Sequence, residues 1–134
     1  MNSAIWTVMS QARYTRAMSD SNSPRYDERP WGNFRQLTHN STSTVKILSI
    51  KPGESLSLQS HFKRSEFCRI LKGGGIMEIG DKKYEVKEGD EYDVPINTKH
   101  RATAGPAGLS YLEISTGDFD ENDEVRYEDK YNRT

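Results

Sequence analysis

The sequence predicts an all-β domain closed around a single core. Three observations predict it. Short apolar or alternating stretches recur at regular spacing from Trp31 onward, glycine, proline, asparagine and aspartate punctuate them, and no stretch between them carries a convincing helical period. At 134 residues the chain suits one domain and can bury a core without covalent staples.

Val45-Lys46-Ile47-Leu48-Ser49-Ile50 reads as a strand stopped by Pro52-Gly53. From Ser55 to His61, Leu56 and Leu58 alternate with small or polar residues, the period of a strand with two unlike faces. Phe67 to Leu71 forms a third strand, which Gly73-Gly74-Gly75 is expected to end in a turn. Ile76 to Ile79 and Lys83 to Val86 flank Gly80-Asp81, a hairpin signal. Glu91 to Val94, Arg101 to Ala104 and Leu109 to Ile114 complete the set, and the acidic tail after Gly117 is expected to wrap the barrel edge. Residues 1–28 are set apart as a flexible N-terminal tail, leaving 29–134 as the folded domain. Ile5, Val8, Met9 and Ala12 have helical spacing, so a short helix is allowed there. The same leader has arginines and no acid before Asp20, which a transit peptide shares, and Met18 offers an alternative start.

A net charge of −1 argues against a general binder of nucleic acid or anionic membrane. The lone Cys68 excludes an internal disulfide and fits a reducing, cytoplasmic setting. It reads as a small buried hydrophobe. No apolar run is long enough for a membrane helix. The glycine triplet is no phosphate loop, because no Gly-Lys-Ser/Thr follows it. Asp118 opens like a calcium loop, but Asp123 stands where that loop needs glycine.

Chemistry concentrates elsewhere. Gln59 and His61 are two apart in a strand and project from one face, which Ser57 shares. Glu66 follows after a tight connection, and His100 comes just after Pro95-Ile96-Asn97, where a turn should end. Two imidazoles, a carboxylate and an amide oxygen suit one divalent metal: zinc first, then cobalt, manganese, nickel or iron. The lack of thiolate argues against a structural zinc site.

The spacing of the whole is more telling than its members. Gly53, Gln59-x-His61, Glu66 and Gly73 together resemble the first cupin motif, and Gly89, Pro95-x-Asn97 and His100 the second. Gln59 stands where many cupins carry a histidine, and Asn97 where the second motif has glycine, a position asparagine tolerates. Arg29-Pro30-Trp31-Gly32, Pro52 to Gln59, Arg64-Ser65-Glu66, His100-Arg101 and Asp123 to Arg133 resemble the C-terminal domain of type II mannose-6-phosphate isomerases, over roughly residues 28–133.

That resemblance implies a cupin-type double-stranded β-helix, a jelly-roll barrel, with glutamine in the metal shell. It implies interconversion of mannose 6-phosphate and fructose 6-phosphate through an enediol, with the metal stabilising the oxyanion. Glu66 is then a ligand. Glu113, facing away from Leu112 and Ile114, becomes the candidate base, and Arg64 the candidate to stabilise the enediolate. Ser57 lines the cavity, and Lys46, Arg101 and Arg133 are candidates for the phosphate. A homodimer is expected on the same ground. A non-catalytic cupin binding a sugar or sugar phosphate is the alternative. An oxygenase is less favoured, since Gln59 replaces a histidine.

Overall fold

The computed structural model describes residues 25–133. The short helix considered around Ile5 and most of the expected tail lie outside the described residues. Residues 25–28, also assigned to the tail, belong instead to the first strand.

Among the described residues there are nine strands: β1 (Arg25–Arg29), β2 (Gly32–Gln36), β3 (Ser43–Ile50), β4 (Leu58–Ser60), β5 (Ser65–Ile79), β6 (Lys82–Lys87), β7 (Glu91–Val94), β8 (His100–Thr116) and β9 (Val125–Glu128). Strands β1 and β2 form a separate antiparallel hairpin, and the other seven form one sheet. The expectation of an all-β cupin barrel is borne out. Among the described residues no helix is long and apolar enough to cross a membrane.

Strand β8 is the spine. Its second half pairs with β3, it runs against β5 over most of its length, and His100 at its start pairs with Gln59 of β4. Alternation then sorts the side chains. Cys68, Ile70, Met77, Ala102, Ala104, Leu109 and Tyr111 point inward with Tyr92 and Val86, forming the buried core.

Two expectations about the strands are corrected. The glycine triplet does not end a strand: β5 runs through it, with register shifts between Ile70 and Lys72 and between Gly73 and Gly75. The reason is close approach. A Cβ at Gly73 would stand 2.1 Å from the Gly108 carbonyl oxygen, and one at Gly75 2.0 Å from that of Thr103. Only glycine lets β5 and β8 bend past each other here. For the same reason the segments at Arg101 and Leu109, expected as two strands, join into one across Gly105 and Gly108.

The tail does wrap the barrel, as β9 pairs with β4. The turn before β8 carries Asn97 at φ 57°, and its N–H donates to the His61 carbonyl at 2.7 Å. That bond draws the two motifs together.

Candidate metal centre

The short connection 61–64 leads from β4 to β5 and presents His61 and Arg64, while β5 presents Glu66 and β8 presents His100. All four are buried. His61 Nδ1 donates to the carbonyl of Asp123 at 2.7 Å, and His100 Nδ1 to the carbonyl of Thr98 at 2.9 Å. A carbonyl only accepts, so each ring carries its proton on Nδ1 and turns Nε2 toward the cavity. The two Nε2 atoms lie 2.8 and 3.6 Å from Oε1 of Glu66.

This donor set fits a divalent cation. Without one, bare nitrogen lone pairs would face a carboxylate unless a proton came between them. Donor atoms of His61, Glu66 and His100 lie within 4.8 Å of one another. Ligands about 2.1 Å from zinc stand roughly 3.4 Å apart in a tetrahedral set. One contact competes: the Arg64 guanidinium donates to His61 Nε2 at 3.3 Å, and a metal would displace it. Arg64 is otherwise held by the Asp120 carbonyl at 3.1 Å, with its guanidinium 4.4 Å from the Phe119 ring centre.

Gln59 opens onto the same cavity, of about 170 Å³, as do Ser57, Lys46, Glu113 and Arg133. Arg101 does not. It is the strand neighbour of His100 and so faces outward, where Glu78 at 2.7 Å and Glu128 at 3.0 Å hold it. Its assignment to the phosphate is corrected on that ground. The tail supplies what sequence reasoning missed: Glu121, Glu124 and Arg126 also line the cavity, the last two sharing a face of the chain at and beside β9. Their i, i+2 spacing was the available signal. The rim cations each meet an acid: Arg126 with Glu124 at 2.7 Å, Arg133 with Asp129 at 2.8 Å, and Lys46 with Glu121 at 3.4 Å.

The carboxyls diverge. Burial works against the charge on Glu66, but His100 and His61, which can donate to it from Nε2 once their rings are charged, and the Glu113 carboxyl overcome it and hold its pKa far below the usual carboxylate range. Burial first, and then the hydrogen bond to ionised Glu66, push Glu113 up past neutrality. For His61, burial disfavours the charge, yet the Glu66 carboxylate and the Asp123 carbonyl win and raise its pKa.

A family model described as mannose-6-phosphate isomerase C-terminal matches residues 18–129. The chain belongs to that family. AlgA, an alginate biosynthesis protein of Pseudomonas aeruginosa, is 34% identical over 108 residues, which are 79% of this chain and 22% of AlgA. Mannose-1-phosphate guanylyltransferase 2 of Escherichia coli O157:H7 is 33% identical over 105 residues, 77% of this chain and 22% of that protein. The chain thus spans about a fifth of the length of these relatives. Among solved structures, the capsular polysaccharide assembling protein CapF of Staphylococcus aureus superposes with a TM-score of 0.60 at 18% identity, over 85% of this chain and 35% of CapF. ChmJ, a 3'-monoepimerase from Streptomyces bikiniensis solved with dTDP-quinovose, gives 0.60 at 6% identity, over 77% of this chain and 66% of ChmJ. These two likenesses carry the fold.

Family membership does not bring the family's titular reaction with it. The expected interconversion of mannose 6-phosphate and fructose 6-phosphate is overturned: the relatives are named as guanylyltransferases and polysaccharide biosynthesis proteins. Glu113, expected as the base, has its proton affinity raised by burial and by the ionised Glu66 beside it. What stands is the setting: a cupin of a family whose named relatives are enzymes of carbohydrate and polysaccharide biosynthesis.

Proposed function

We propose that this chain is a metal-holding cupin domain that binds a small sugar phosphate in its barrel, as part of the synthesis of activated sugars for polysaccharides. The observation that carries the reading is the convergence of His61, Glu66 and His100 in a cavity edged by Lys46, Arg126 and Arg133. A site with a cation at its base and guanidinium groups at its rim suits a ligand with both hydroxyls and a phosphate.

Gln59, His61, Glu66 and His100 would hold the ion, zinc being the best match to two imidazoles and two oxygens. When bound, the ion supplies Lewis-acid polarisation of a ligand oxygen. The remaining work falls to this chain's own groups. Glu113, buried with a raised proton affinity, would donate a hydrogen bond to that oxygen when protonated. Ser57 orients a neighbouring hydroxyl. Lys46 has the longest and most exposed of the rim ion pairs, so an incoming phosphate can take it from Glu121 most easily.

Titration calorimetry with mannose 1-phosphate, mannose 6-phosphate and free mannose tests this, with zinc and after chelation. A sugar phosphate should bind at least 10-fold more tightly than the free sugar, and chelation should remove the difference. Equal affinities, or indifference to chelation, would sink the reading.

A further inference from the structure

We infer that Asp123 is a positioning residue for this centre: from the tail, it sets the tautomer and orientation of His61. The inference rests on the metal-centre reading above and adds a partner sixty-two residues away in sequence.

Asp123 is buried and touches all four residues of the connection 61–64. Its carboxylate accepts the N–H groups of Phe62 at 2.8 Å and Lys63 at 3.0 Å. Its carbonyl accepts Nδ1–H of His61 at 2.7 Å and, more weakly, the Arg64 guanidinium at 3.5 Å. Its own N–H donates to the Asp120 carbonyl at 3.0 Å, which closes the tail loop behind it. The carboxylate therefore pins the connection to the tail, and the pinned carbonyl then selects which ring nitrogen of His61 bears the proton. Nε2 is left as a donor aimed at the centre.

His100 is a built-in control. Its Nδ1 is held by Thr98, two residues away in its own turn, so its tautomer owes nothing to the tail. A role confined to Asp123 must move one imidazole and spare the other. The backbone of the connection has a separate tie, the Asn97 N–H to the His61 carbonyl at 2.7 Å, so substitution at Asp123 should leave the fold intact.

The test uses the full chain with Asp123→Ala and Asp123→Asn. Ring-nitrogen NMR of the metal-free protein, at a pH where the imidazoles are neutral, should show Nδ1–H at both histidines in the starting protein. In Asp123→Ala, His61 should become a tautomer mixture while His100 stays as it was. Zinc affinity, read by competition with a chromophoric chelator, should fall about 10- to 100-fold. Asp123→Asn keeps one acceptor oxygen for Phe62 or Lys63 and should recover most of both signals. The inference is overturned if folded Asp123→Ala keeps the original His61 tautomer, or if both histidines change alike. Should the starting protein bind no zinc, the metal reading falls, while the tautomer comparison still decides the role of Asp123.

Discussion

Glu66 and Glu113 occupy one cavity, and their environments drive their proton affinities in opposite directions. The consequence for stability has a definite sign. Glu113 and His61 both bind protons more tightly when folded than when unfolded. Their contribution is complete below the unfolded values of 4.5 and 6.5 and is lost as pH rises toward their folded values. Glu66 acts the other way, but only as pH falls below its unfolded value of 4.5. Metal-free protein should therefore melt at progressively lower temperature from about pH 5 to about pH 9, and Glu113→Gln should flatten most of that slope. Zinc should reverse the trend, since its ligands must shed protons to bind. Melting curves with chelator and with zinc check both parts; a Glu113→Gln slope equal to the original would refute the assignment.

The same scale separates ligands from bystanders. His61→Ala should weaken zinc binding by more than about 100-fold, beyond what loss of an outer partner costs. Arg101→Ala should leave zinc and sugar-phosphate affinity unchanged, because Glu78 and Glu128 hold that side chain outside the cavity. Competition titration and calorimetry read both, and a loss of ligand affinity in Arg101→Ala would contradict its outward placement.

At the level of elements, the crossing of β5 and β8 depends on absent side chains. Gly75→Ala should cost about 3 kcal/mol, since its Cβ would meet backbone that cannot step aside. Gly53 also has positive φ, at 75°, but open space around it. Gly53→Ala should cost only about 1 kcal/mol, the strain of the left-handed backbone. Urea denaturation of the pair decides the matter: equal losses would mean that close approach is not what the triplet provides.

Across the whole molecule, the hairpin β1–β2 has no buried residue and sits outside the main sheet. A two-stranded hairpin is marginal alone. Arg35 ties it to the barrel by bonding both oxygens of Glu91 at 2.7 and 2.9 Å, while Arg69 binds the same carboxylate from β5. Glu91→Gln should raise hydrogen exchange across residues 25–36 selectively and cost the barrel about 1–2 kcal/mol, a value discounted because both arginines are about one-third exposed. Unchanged exchange in the hairpin would show that other contacts hold it.

Strand alternation is a local property. Sequence alone therefore determined the all-β class, the shared face of Ser57, Gln59 and His61, and the turn that delivers His100. Alternation also implied that Arg101 must point away from a cavity that His100 enters, an inference open to sequence reading and not drawn there. Only the tertiary structure decided the rest. The proton affinity of Glu113 is raised by burial and by Glu66, 47 positions away. The glycine triplet is a crossing because Thr103 and Gly108 lie against it. Asp123 governs His61 across sixty-two residues. A proton affinity, a close approach and a tautomer are each set by whichever atoms stand nearest, and when those atoms come from distant parts of the chain, only folding brings them there.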